Sequence, residues 1–183
     1  KPDIFLGAIP LFHAFGMVAV LNFAIGVGAE IILVPNARDI SDVLDNINTF
    51  HPTLFQGVPA LYNAINNHPD VKSGKVNLQS IRACVSGSAP LPPATKLEFE
   101  RLSGGAPRES YGMSETPTAS HCNPMQGSNR MGSIGLPLPD MDVRIVSLDD
   151  GQTEVPIGEI GELIMSGPQI MMGYHGMPTE TAN

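Results

Sequence analysis

Apolar positions between Ile4 and Val34 fall into runs rather than one block. Ile4–Ala8 and Glu30–Val34 are short, continuous, β-prone stretches, the pattern of strands buried on both faces. Between them Ala14–Gly26 has the length and apolar content of a short buried helix. A membrane span would need about 20 uninterrupted apolar residues. Here Pro10 and His13 interrupt the run, and Gly16, Gly26 and Gly28 punctuate it. No Lys or Arg lies between Lys1 and Arg38 to mark a cytoplasmic flank. A buried βαβ unit accounts for the pattern better than a transmembrane segment.

Pro35 and Asn36 then turn the chain into an amphipathic helix over Asp39–Asn48, with Ser41 as its cap and Val43, Leu44 and Ile47 as its apolar stripe. Thr53–Gln56 reads as a strand, and Pro59 opens a helix carrying Leu61, Tyr62 and Ile65. Asn66–Asn77 reads as a polar loop. Ile81–Val85 is a buried strand, followed by a helix from Pro92 and Pro93 to about Leu102, stopped by Gly104-Gly105. Glu109–Tyr111 is a further short strand. Strand alternating with helix predicts an α/β fold over residues 1–125, a mostly parallel sheet with flanking helices. From about Asn123, short β-prone runs at Ile134–Leu136, Asp142–Ser147 and Glu162–Ser166 take over, with turns at Asp149-Asp150-Gly151 and Pro156–Gly158. Residues 126–183 are therefore expected to start a smaller β-rich segment.

Composition narrows the class. Charged side chains are 15% of the 183 residues, against the usual roughly 25%, and 19 Gly and 17 Pro are more than an average domain carries. Low charge with ample aliphatic content argues against disorder. A net charge of −8 excludes a general nucleic-acid surface, which needs an excess of Lys and Arg. Two cysteines make no disulfide scaffold and fit a reducing, cytoplasmic setting. The chain opens Lys-Pro-Asp, without an initiator Met or a signal peptide, as an internal piece of a longer protein would.

Open parallel sheets bind ligands at the carboxyl ends of their strands. Three loops follow predicted strands: Pro10-Leu11-Phe12-His13-Ala14-Phe15-Gly16, Ser86-Gly87-Ser88-Ala89-Pro90-Leu91-Pro92, and Tyr111-Gly112-Met113-Ser114-Glu115-Thr116. Small residues admit a flat ring close to the backbone, and Tyr111 can stack on it. Ser114 and Thr116 can donate to phosphate oxygens, and Glu115 can hold Mg²⁺ beside them. Together they make half a nucleotide site. Taken singly, His13 reads as a core or capping histidine and Tyr111 as packing, and Glu115 is reasonably a carboxylate at a helix start. His121 and Cys122 lack a second ligand pair at metal spacing. No Gly-x-Ser-x-Gly elbow, Gly-x-x-x-x-Gly-Lys-Ser/Thr loop or Gly-x-Gly-x-x-Gly fingerprint occurs.

In order and spacing these loops resemble the adenylate-forming acyl-CoA synthetases, which include firefly luciferase and the adenylation domains of peptide synthetases. Pro10-Leu11-Phe12-His13 resembles that family's acyl-pocket motif, Ser86–Leu91 its adenine loop, and Tyr111–Glu115 its Tyr-Gly-x-Thr-Glu signature. Gly132–Pro137, Gly161-Glu162-Leu163, Gly167 and Met172-Gly173-Tyr174 are similar to its later structural motifs. The wording is most similar to bacterial long-chain fatty acid–CoA ligases. The resemblance implies ATP and Mg²⁺ as cofactors, coenzyme A as co-substrate, and a carboxylic acid adenylated to acyl-AMP before transfer to the thiol. It assigns nucleotide binding to Gly87, Ser88, Ala89, Pro90, Ser110, Tyr111, Gly112, Met113 and Ser114. Glu115 is implied as the Mg²⁺ ligand, Ser114 as the α-phosphate contact, and His13 as the group beside the carboxylate. These last three are the implied catalytic residues. Phe12, Phe15 and Val58 are candidate acyl walls. Ser88 stands where the family often has Gly, and Ser114 where Thr is commoner.

The resemblance also places a phosphate loop before residue 1, and a ribose-binding Asp and a C-terminal domain with its catalytic Lys after residue 183. The 183 residues alone are accordingly expected to be inactive, and to self-associate through apolar surface exposed by the cut. The other readings are an aryl- or medium-chain acid ligase, and a non-catalytic adenylate-binding pseudoenzyme domain. The parent is expected in the cytoplasm, or peripheral at a membrane.

Overall fold

The computed structural model describes residues 2–182. Five parallel strands form the body of its main sheet: β1 (Ile4–Gly7), β2 (Glu30–Leu33), β3 (Leu54–Gly57), β4 (Ala83–Ser86) and β5 (Pro107–Tyr111). They lie in the order β2-β1-β3-β4-β5. Two short strands, β6 (His121–Cys122) and β7 (Leu136–Pro137), extend the β5 edge antiparallel. A separate antiparallel pair, β8 (Asp142–Val146) and β9 (Glu162–Ser166), follows, with Asp142 opposite Ser166 and Val146 opposite Glu162. The α/β architecture expected from the alternation is present. The Ile134–Leu136 run, read as part of the β-rich segment, instead contributes its last residue to β7, whose partner β6 keeps it on the main sheet.

The first crossover runs through α1 (Ala14–Gly16), a π-helical stretch over Met17–Asn22, and α2 (Phe23–Gly26). Val20 and Ala24 from this crossover pack on Phe5 of β1. Gly16 is dictated by closeness, since a Cβ there would lie 2.9 Å from the Pro10 carbonyl carbon. Next comes α3 (Ile40–Phe50), which buries Val43, Leu44 and Ile47 as its periodicity predicts. Its cap is Asp39 rather than Ser41: Asp39 is extended and its Oδ1 accepts from Asp42 N at 3.3 Å, whereas Ser41 is already inside the helix.

The remaining helices are α4 (Pro59–Asn67), α5 (Pro69–Lys72), α6 (Pro93–Ser103) and the terminal α7 (Pro178–Ala182). The stretch read as a polar loop holds α5, because Pro69 starts a turn capped by the His68 ring and Val71 and Val76 reach the core. Beneath α4 and α6 the core centres on Phe55, Tyr62 and Phe99, all fully buried. The Tyr62 ring meets Phe99 edge-on at 4.7 Å, and its hydroxyl donates to the carbonyls of Phe55 and Val85 at 3.2 and 3.0 Å. One side chain thus ties α4 to two neighbouring strands just before they end. The C-terminal ends of β1, β3, β4 and β5 open on one edge of the sheet, where the loops gather.

Candidate functional site

Each loop is shaped by what its strand or helix demands. His13 caps α1: its backbone is extended and its Nδ1 accepts from Phe15 N at 3.1 Å. A neutral imidazole whose Nδ1 accepts carries its hydrogen on Nε2, so that nitrogen is the donor left for a ligand. The capping reading and the ligand reading of His13 are therefore compatible, and the ring is exposed. After β4, Gly87 is buried, and a Cβ there would stand 3.1 Å from Ser110 Oγ and 3.2 Å from the Phe15 ring. Ser88 then takes a left-handed backbone, φ 68°.

That conformation costs an L-residue about 1–2 kcal/mol and explains why glycine suits the position. Ser88→Gly is expected to stabilise the chain by about 0.5 kcal/mol, the strain relieved being partly offset by glycine's greater freedom when unfolded. A thermal melt checks this. A lower midpoint would mean the hydroxymethyl makes contacts worth more than the strain.

The loop after β5 closes on itself. Thr116 N donates to Met113 O at 3.2 Å, and Met113 N donates to Thr116 Oγ1 at 2.8 Å. Thr116 is buried and its hydroxyl is spent inside the loop, so of the two candidate phosphate donors only Ser114 is presented outward. Gly112 lets this loop return past Tyr111, where Ser120 N donates to Tyr111 O at 2.9 Å. Thr118, also left-handed at φ 89°, ties the loop to the first crossover by donating its hydroxyl to Ala14 O.

These loops enclose two neighbouring cavities. The first, about 260 Å³, is lined by His13, Phe15, Gly87, Met113, Ser114 and Thr118 among others. The second, about 320 Å³, is lined by Ala89, Pro90, Glu109, Tyr111 and the Gly132–Ile134 loop. Ser88, Ser110 and Gly112 border both. All of the sequence-derived nucleotide residues therefore line one cavity or both. Tyr111 is backed by the buried His121 ring, edge-on at 6.2 Å. Burial lowers the His121 pKa below the ordinary imidazole value.

Glu115 lines neither cavity. Its Oε1 accepts from Tyr174 Oη at 2.7 Å and its carbonyl from Met171 N at 2.9 Å. The Tyr174 hydroxyl, aided by Glu115's own backbone, holds the carboxyl below the usual carboxylate range. An ionised oxygen donor of this kind suits a hard cation, although one of its oxygens already serves Tyr174. Of the acyl-wall candidates only Phe15 lines the first cavity. Phe12, 93% exposed, and Val58 border separate apolar hollows nearby. Thr118 and Glu109 were not found from sequence, and the Gly132–Pro137 motif was read as structural, whereas its Gly132–Ile134 part walls the second cavity.

Comparison with known proteins gives a consistent picture. Residues 1–175 match the AMP-binding enzyme family. A long-chain-fatty-acid–CoA ligase of Bacillus subtilis (strain 168) is 43% identical over 177 residues, 97% of this chain and 31% of the relative. ATP-bound MatB from Rhodopseudomonas palustris superposes with a TM-score of 0.86 at 30% identity, covering 99% of this chain and 35% of that one. O-succinylbenzoate coenzyme A synthetase from Bacillus subtilis, in complex with ATP and magnesium ion, gives 0.80 at 30% identity, covering 98% and 36%. The chain thus spans about a third of the length of the proteins it matches.

Proposed function

The chain belongs to the AMP-binding enzyme family, and we propose that it is the part of an ATP-dependent long-chain fatty acid–CoA ligase that seats the nucleotide and meets the acid. The observation that carries this reading is the pair of neighbouring cavities that share Ser88, Ser110 and Gly112 as lining residues. The second cavity suits adenine: Tyr111 offers an aromatic face, Ala89 and Pro90 a low apolar wall, and Gly112 close backbone. The first cavity suits the reacting groups. His13 Nε2–H and the Ser114 hydroxyl line it and would be the donors that hold a carboxylate and an α-phosphate together.

In the parent reaction a carboxylate oxygen attacks the α-phosphorus of ATP and pyrophosphate leaves, giving acyl-AMP. The coenzyme A sulfur, losing its proton, then attacks the acyl carbonyl and AMP leaves. Glu115 would hold Mg²⁺, which when bound screens the phosphate charge. The long-chain preference is supported by the Bacillus subtilis relative. No helix among the described residues is long and apolar enough to cross a membrane; we place the parent in the cytoplasm or peripheral at a membrane.

Titration calorimetry of the 183-residue chain with AMP tests the reading. Weak binding is expected, and Tyr111→Ala is expected to lower it roughly tenfold, the scale of one lost base–aromatic stack. The same preparation should show no ATP–pyrophosphate exchange, because the family's phosphate loop and catalytic Lys are not among these residues. An absence of AMP affinity, or equal affinity in the variant, would overturn the site.

A further inference from the structure

Lys96 and Glu109 form a buried ion pair that the nucleotide reading leaves without a role. Lys96, on α6, is 3% exposed, yet its Nζ lies 3.3 Å from Glu109 Oε1 on β5. The same ammonium donates to Asn129 Oδ1 at 2.9 Å, and Asn129 Nδ2 donates to Pro107 O at 3.1 Å. Glu109 Oε1 also accepts from Gly132 N at 3.1 Å. Behind this, Asn123 Nδ2 donates to Ser133 O at 2.6 Å and to Glu109 O at 3.3 Å, while Asn123 Oδ1 accepts from Arg130 N at 3.0 Å.

The segment so held, Asn129–Ile134, has no helix or strand of its own. Met131 and Ile134 are exposed, so burial of their side chains does not hold it down. Yet its Gly132, Ser133 and Ile134 form one wall of the second cavity, and Glu109 lines that cavity too. A buried ion pair often contributes little net stability because both ions lose their water, and its best-attested use is to fix one arrangement of the groups around it.

We propose that Lys96 and Glu109 are positioning residues: their pair fixes the Gly132–Ile134 wall and so sets how tightly the second cavity closes on a flat ring. The affinity part of this rests on the nucleotide reading above. Lys96 acts only through Glu109 and Asn129, and touches neither cavity.

Hydrogen exchange read by mass spectrometry on the full chain, paired with AMP calorimetry, tests it. In Lys96→Met the amides of 129–134 are expected to exchange at least roughly tenfold faster, while those of β3 and β4 keep their rates. AMP affinity should fall about tenfold in parallel. Should Lys96→Met fail to fold because Glu109 is left buried and unpaired, the double variant Lys96→Met/Glu109→Gln, which removes both charges and keeps an oxygen for Gly132 N, is the deciding variant and should loosen the same segment. Unchanged exchange over 129–134 in a folded variant would overturn the proposal. So would a loosened wall with undiminished AMP affinity. If the unaltered chain binds no AMP, the nucleotide reading falls, and the exchange arm alone decides whether the pair positions the wall.

Discussion

A Gly112→Ala chain is expected to lose about 2–3 kcal/mol of stability, the upper end for overpacking a tight site. A Cβ at this position would lie 2.5 Å from the Thr118 carbonyl carbon and 2.6 Å from Ala119 Cα. Both are backbone atoms of the returning loop, so no side-chain rotation can make room. The loop must lift, and the Ser120–Tyr111 hydrogen bond goes with it. Because Gly112 borders both cavities, the same shift separates Tyr111 from Ser114 and should weaken AMP binding by about an order of magnitude. A urea melt with an unchanged slope and a lower midpoint, alongside calorimetry, reads both effects. Wild-type stability in the variant would mean that the return does not pass as closely as described.

Tyr62→Ala should be costlier, about 4 kcal/mol, as for other large aromatic truncations in a closed core. The ring is fully buried and packs on Phe55 and Phe99 at 5.0 and 4.7 Å. Removing it leaves a void where the sheet meets α4 and α6. Tyr62→Phe isolates the hydroxyl, whose two carbonyl contacts should account for only about 1 kcal/mol. With single domains stable by about 5–15 kcal/mol, the alanine variant stands near unfolding and the phenylalanine variant does not. Comparable destabilisation by both would shift the weight from packing to the hydrogen bonds. The chain also senses this ring at Gly57, where a Cβ would lie 2.9 Å from Tyr62 Cε2.

Much of the parallel sheet was legible because its strands are short apolar runs and its helices carry stripes such as Val43, Leu44 and Ile47. Glu162–Ser166 is a strand over the full run expected of it. The candidate nucleotide residues were legible as motifs, and the structure gathers them around two cavities. What escaped has a common physical cause, dependence on partners distant in sequence. The β6 strand is a histidine and a cysteine, with no pattern of its own, and exists because β5 and β7 flank it. Tyr174 finds Glu115 across 59 residues, and Lys96 finds Asn129 across 33. The helix over Pro69–Lys72 escaped because one buried valine in four polar-flanked residues makes no period.

The π-helical stretch over Met17–Asn22 has an effect on phase. There the Phe23 amide reaches back to the Val18 carbonyl, one residue further than an α-helical bond would. Each such wide turn inserts one residue without lengthening the path between the helix's ends, and slips the angular register of everything after it. Phe15, before the wide stretch, faces the first cavity, while Val20 inside it and Ala24 beyond it pack on Phe5. The slip begins after Phe15, so the cavity-lining residue is set upstream of it, and the sheet-packing residues lie within and beyond it.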